Sequence, residues 1–248
     1  MNDAGSPVLK SAAWSVVGKP RPHESAELHV LGQATYTDDI PEVQGTLHGA
    51  LGLSSKPHAM IVSMDLAPVR ASRGVVAVYT ADDIPGTNDC GPIIHDDPIF
   101  ANGIVMYVGQ PLFIVVADTH DNARRAARLA KVTYDELPAI LTPQAARAAQ
   151  SYVLPPMHLA RGDYQAAFER APHSVKGELY VGGQEQFYLE GQIAYAIPKE
   201  NKGMLVQCST QHPSEMQHVV AHALGVNSHN IVVECRRMGG GFGGKGAQ

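Results

Sequence analysis

Apolar residues fall along this chain in short blocks whose spacing keeps changing, and the changes predict small strands and helices in alternation. Thr46-Leu-His-Gly-Ala-Leu-Gly-Leu53 and Val75-Val-Ala-Val-Tyr79 read as strands, while Met64 to Ser72 reads as a short helix. Phe113-Ile-Val-Val-Ala117 is apolar throughout, the pattern of a strand covered on both faces. Thr119 can cap a helix with Asp121 in its first turn, running through Asn122-Ala-Arg-Arg-Ala-Ala-Arg-Leu-Ala130, and Val132-Thr-Tyr134 returns as a strand. Arg124, Arg125, Arg128 and Lys131 recur at helical spacing, which predicts a solvated face. Pro138, Pro143, Pro155 and Pro156 then break the pattern around a short alanine-rich helix that Thr142 can cap. Beyond them Asp163 to Ala171 reads as a helix, with strands at 174–181, 193–197 and 204–208. Pro213 opens a helix closed by Gly225, and Ile231-Val-Val-Glu-Cys235 is the last strand. The expected fold class is α+β in two domains, residues 17–137 and 162–248, joined by a proline-rich linker over 138–161.

Composition removes several function classes. The chain has 248 residues, 44% of them hydrophobic and 17% charged, which suits soluble globular domains. Its net charge of −5 and scattered basic residues argue against nucleic acid as a partner. No apolar run is long enough to span a bilayer, and Met1 to Pro7 carries neither the basic nor the apolar region of an export signal, so a cytoplasmic location is expected. Cys90, Cys208 and Cys235 are too few and too far apart for a disulfide framework or an iron–sulfur cluster, and are expected to be buried free thiols.

The strongest chemical signal follows the last strand. Arg237-Met-Gly-Gly-Gly-Phe-Gly-Gly-Lys245 sets five glycines around one phenylalanine, a composition that lets bare backbone close on a large polar ligand or, alternatively, forms a flexible tail. Gly239, Gly241 and Gly244 fit the dinucleotide G-x-G-x-x-G, but no helix or downstream acid follows them. Gly239 to Lys245 fits most of a phosphate-binding loop, yet Gly246 stands where the magnesium-binding hydroxyl belongs. His218 and His222 share a helical face, but Val219 occupies the place of the glutamate that a zinc protease needs. With His212 they read as ordinary surface or interface residues. Gly183-Gln-Glu-Gln186, followed by Phe187-Tyr-Leu189 and Glu190, suggests a polar tip on a buried support.

The run Gly-Gly-Gly-Phe-Gly-Gly-Lys, taken with Val17-Gly-Lys-Pro20, Gly32-Gln-Ala-Thr-Tyr-Thr-Asp-Asp39, Val108-Gly-Gln-Pro111, Gly182 to Glu190 and Ser209-Thr-Gln-His-Pro-Ser-Glu215, resembles the molybdenum hydroxylase family of xanthine dehydrogenases and aldehyde oxidases. The match covers nearly the whole chain after about residue 16 and is similar to the N-terminal third of the molybdopterin-binding subunit, leaning towards the xanthine dehydrogenase branch. The resemblance implies an α/β-hammerhead domain followed by the first part of the molybdopterin-binding domain. It also implies a molybdenum–molybdopterin cofactor held by Gln184, Gly241, Phe242 and Gly243, with the Gln184 amide and the Phe242 backbone nearest the molybdenum without ligating it. In the family the N–H groups of Phe242 and Gly243 face the cofactor and the neighbouring glycines let it come close. The catalytic base would be a glutamate beyond Gln248, so none is expected within this stretch.

The same resemblance implies hydroxylation of hypoxanthine or xanthine to urate, with electrons passing through 2Fe-2S clusters and FAD on a small partner subunit to NAD. A second copy of the large subunit would complete a heterotetramer. Gly246 stands where a purine-orienting glutamate is usual, which keeps open an aldehyde as the substrate. An inactive fragment serving only to bind the partner subunit is the alternative outside catalysis.

Overall fold

The computed structural model describes residues 16–91 and 93–246; the N-terminal stretch considered for an export signal lies outside them. In chain order the elements are α1 (Ala26–Val30), β1 (His48–Leu53), β2 (Ala59–Asp65), α2 (Ala67–Arg70), β3 (Val75–Thr80), β4 (Ile104–Val105), β5 (Pro111–Ala117), α3 (His120–Ala127) and β6 (Lys131–Glu136). Then follow α4 (Pro143–Ala148), α5 (Tyr164–Glu169), β7 (Ala194–Pro198), β8 (Met204–Cys208), α6 (Pro213–Leu224) and β9 (Ile231–Glu234). Among the described residues the mixture is α+β, in three sheets of three strands ordered β1-β5-β3, β4-β2-β6 and β7-β8-β9.

The apolar run at β5 becomes the central strand of the first sheet, antiparallel to both neighbours. Leu112, Phe113, Val115 and Ala117 are all buried. Gly52 lies opposite Phe113, and a Cβ on Gly52 would sit 2.0 Å from the Phe113 ring. The missing side chain is therefore the socket that lets the ring be covered, a burial that stabilises by about 1.5–3 kcal/mol. Alanine at position 52 would eject it. α3 closes this core with Ala123 and Ala126, and its N-terminus is capped as expected, Thr119 Oγ1 accepting from Asn122 N–H at 3.2 Å. Arg125 on its outer face is exposed and pairs with Asp121 at 3.5 Å, as a solvated face should.

Three expectations need correction. Met64 and Asp65 end a strand rather than begin a helix, because Ala59–Asp65 finds a partner in β6; helix remains only at α2. The helix expected to reach Ala130 stops at Ala127, where Lys131 begins strand pairing with Asp65. Residues 174–181 alternate like a strand but are exposed and unpaired among the described residues. Alternation records which face a strand would bury, whereas pairing needs a neighbouring edge.

The third sheet positions the glycine loop. β7 and β8 pair antiparallel, while β8 and β9 pair parallel across the α6 crossover. α6 begins at Pro213 and ends on Gly225 at φ 64°, the left-handed cap that glycine adopts without strain. Its Ala221 packs with Val206, Cys208 and Ile231 in a second core. Gly86 and Thr87 from the preceding half donate to Ala223 O and His222 O at 3.0 and 2.9 Å, satisfying carbonyls at the helix end. Among the described residues no helix is long and apolar enough to cross a membrane.

Candidate functional site

Parallel pairing sets Gln207 beside Glu234, so the segments that leave β8 and β9 emerge together at one sheet edge. Ser209-Thr-Gln211 follows β8, and Arg236 to Gly246 follows β9. Strand ends of this kind, carrying loops at their carboxyl side, are where open α/β sheets bind ligands. The loop is tied back to its neighbour twice: Gln211 N–H donates to Lys245 O at 2.7 Å, and Gln211 Oε1 accepts from Gly243 N–H at 2.9 Å and Lys245 N–H at 3.3 Å. Arg237 reaches the preceding half, donating from Nη1 to Thr35 O at 3.1 Å.

A buried charge pair lies underneath. Lys245 is 0% exposed and donates through Nζ to Glu190 O and Ser209 Oγ, each at 2.7 Å. Nζ also lies 3.4 Å from Glu190 Oε2 and 4.5 Å from the centre of the Tyr188 ring. Glu190 Oε2 accepts from Ser209 Oγ at 2.6 Å and from Gly239 N–H at 2.7 Å. Burial pushes the Glu190 carboxyl up, but the hydrogen bonds from Ser209 and Gly239 and the Lys245 charge outweigh it and hold it below its ordinary value.

Four of the glycines leave their neighbours little or no room for a side chain. A Cβ would fall 2.5 Å from Glu190 at Gly239, 3.0 Å from Tyr188 at Gly240, 2.6 Å from Gln211 at Gly241 and 2.8 Å from Tyr188 at Gly244. Bare backbone at these positions lets the loop close on its own support. Gly243 differs, with φ 91° and open space where its Cβ would be. Its N–H is engaged by Gln211, so its outward contribution is an uncovered face. The N–H groups of Gly240, Gly241 and Phe242 have no acceptor among the described residues, and Gly240 and Phe242 have φ of 99° and 50°. Successive N–H groups in such a turn form a concavity suited to anions. Phe242 is 74% exposed and bulky, so its positive φ is a strained conformation of the kind that clusters at functional sites.

The other predicted positions divide. Gly241, Phe242 and Gly243 share this turn, and Gly246 lies beside it, with only Gly243 O at 3.9 Å from a would-be Cβ. Gln184 is exposed, and the contacts from its segment to the loop come from Gln186, Tyr188 and Glu190 instead. The support expected under Gln184 is not buried: Phe187 and Leu189 are exposed, and the alternate residues Tyr188 and Glu190 face the loop. Glu190, Ser209 and Gln211 carry no role that the sequence alone assigns, and their signal is their place in two of the motif stretches that accompany the glycine loop. His212, His218 and His222 are exposed, and the described residues hold no group of three metal-ligating side chains. Of the thiols Cys208 is buried while Cys90 and Cys235 are half-buried, and burial pushes Cys208 and Cys90 each up to about 11.

Comparison with known proteins identifies the family. Residues 31–138 match the aldehyde oxidase and xanthine dehydrogenase a/b hammerhead domain, and residues 146–248 match the molybdopterin cofactor-binding domain. The chain is 43% identical over 231 residues to a xanthine dehydrogenase/oxidase of Mus musculus, covering 93% of this chain and 17% of that protein. It is also 43% identical over 234 residues to xanthine dehydrogenase 2 of Arabidopsis thaliana, covering 92% and 17%. Among solved structures, quinoline 2-oxidoreductase from Pseudomonas putida 86 superposes with a TM-score of 0.77 at 27% identity, over 90% of this chain and 30% of that one. Aldehyde oxidoreductase from Desulfovibrio gigas gives a TM-score of 0.77 at 27% identity, over 89% and 26%. The chain thus spans a minor part of each relative's length, and within that part it belongs to the molybdenum hydroxylase family of xanthine dehydrogenases and aldehyde oxidases.

Proposed function

We propose that this chain supplies the cofactor cradle of a xanthine dehydrogenase-type molybdenum hydroxylase. The observation that carries the reading is the turn at Gly240–Phe242, whose N–H groups lack acceptors among the described residues beside the uncovered face of Gly243. That donor set fits an anionic cofactor. Gly241 and Phe242 would hold it through backbone N–H groups, Gly243 would admit it by lacking a side chain, and Gln184 would offer a neutral amide. When bound, the molybdopterin cofactor supplies the oxidative hydroxylation chemistry. The loop's role is to fix the group in one orientation, which the double hold of Gln211 on Gly243 and Lys245 makes rigid.

Identities of 43% to proteins named xanthine dehydrogenase, against 27% to the quinoline and aldehyde oxidoreductases, favour hypoxanthine or xanthine as substrate and urate as product. By the same analogy the base is a glutamate elsewhere in the complete protein. Electrons leave through 2Fe-2S clusters and FAD on a small partner subunit to NAD, two copies of each subunit form a heterotetramer, and the enzyme works in the cytoplasm. Gly246 favours a second reading, an aldehyde-oxidising hydroxylase, because glycine stands at the position where a purine-orienting glutamate is usual.

Position 246 separates the two. Its would-be Cβ has ordinary clearance, so Gly246→Glu should fold. In the full-length enzyme it should raise kcat/KM for xanthine over simple aldehydes by about one to two decades, the size of a charged hydrogen bond made in the transition state. An equal change for both substrates would remove position 246 from substrate recognition and weaken the purine reading.

A further inference from the structure

Both ends of the glycine loop converge on one carboxylate oxygen, and we propose that Glu190 and Lys245 form a positioning clamp that sets the loop's shape before any ligand arrives. The proposal rests on the reading of the loop as a cofactor cradle and assigns the residues that pre-form it. Gly239 opens the loop and donates to Glu190 Oε2 at 2.7 Å; Lys245 closes it, with Nζ 3.4 Å from the same oxygen. Ser209 joins them, accepting from Lys245 Nζ at 2.7 Å and donating to Glu190 Oε2 at 2.6 Å.

The arrangement uses each donor once. An ammonium has three protons, and Lys245 finds three oxygens: Glu190 O, Ser209 Oγ and Glu190 Oε2. Glu190 Oε1 is buried with no partner, so the hydrogen bonds to this carboxyl all come from the Oε2 side, the side of the loop and Ser209. An apolar anchor would leave the loop ends free to slide, since glycine has no side chain to pack. A charge pair with directed hydrogen bonds fixes both ends at one point, and the Gly240–Phe242 turn is held between them.

A buried pair of this kind loses more when one partner is removed than when both are, because the survivor is left as an uncompensated charge. The test is amide hydrogen exchange on full-length protein prepared without cofactor, with molybdenum content measured on the same variants after loading. In Glu190→Gln or Lys245→Met the amides of Gly239, Gly243 and Lys245 should exchange about tenfold faster or more, while β8 and α6 keep wild-type protection. The double variant should recover part of that loss, and both single variants should load less molybdenum. If the single variants do not fold, Ser209→Ala removes the bridging hydroxyl, keeps both charges, and should show the same loop-confined exchange. Wild-type exchange in the loop of a folded variant overturns the clamp. Faster loop exchange with unchanged molybdenum content leaves the clamp standing and overturns the cradle.

Discussion

Gln211 and Gln184 differ in how far the structure ties them to the glycine loop. Gln211 is built into it, its Oε1 accepting from Gly243 and Lys245, whereas Gln184 is exposed. If the Gln184 amide addresses the cofactor, Gln184→Ala in the full-length enzyme should lower kcat by roughly 10²–10³, the range measured for one preorganised donor, with folding and molybdenum content kept. Unchanged kcat would take Gln184 out of the site. Glu190 makes a prediction of opposite kind. Its carboxyl is held below the ordinary value of 4.5, so the stability it contributes is complete above that pH and is lost as pH falls through the lowered value. Denaturation midpoints followed below pH 4.5 should therefore fall less steeply in Glu190→Gln than in wild type; parallel curves would show that the carboxylate is not stabilised by folding. Residue roles were only partly legible in the sequence. The loop announced itself through its glycines, but a buried Lys245 reads in sequence like any surface lysine, and only the parallel exit of β8 and β9 brings Ser209 to it.

Elements with a local signal formed where that signal lay. Thr119, Thr142 and Asp163 each cap their helix through a side-chain oxygen, at 3.2, 3.2 and 2.9 Å. Thr119→Ala should accordingly cost about 1 kcal/mol in urea denaturation, because it orphans the Asn122 N–H at the helix that closes the first core. A loss near zero would mean that packing of Ala123 and Ala126 alone holds α3. Elements that depend on a distant partner were less legible. β2 pairs with β6 some 70 positions later, starting from Asp65 beside Lys131, and no local feature of Ala59–Asp65 shows that strand waiting. Residues 174–181 fail in the opposite direction, having the alternation of a strand and no pairing among the described residues. Val108-Gly-Gln-Pro111 proves structural: Gln110 is 2% exposed, and its Oε1 accepts from Met106 N–H at 2.7 Å.

At the scale of the molecule, the two halves meet through backbone-to-backbone and backbone-to-side-chain hydrogen bonds. A Cβ on Gly86 would lie 1.9 Å from His222 O, so the segment carrying Gly86 and Thr87 seats directly on the end of α6. Val43 N–H donates to Tyr195 Oη at 2.9 Å, and Arg237 reaches Thr35 just ahead of the glycine loop. The loop is thereby fixed against both halves, leaving its outer face, Phe242 and Gly243, as the part turned to a ligand. That face is the proposed cofactor cradle, and molybdenum content of the full-length protein tests it most directly. Wild type should carry about one molybdenum per chain. Gly243→Val places a branched side chain in the uncovered space at a φ of 91°, a strain of about 1–3 kcal/mol that a folded chain can carry, and should retain almost no metal. Folded Gly243→Val protein with wild-type molybdenum content, or wild-type protein with none after expression with molybdate and the means to make the cofactor, would contradict the account.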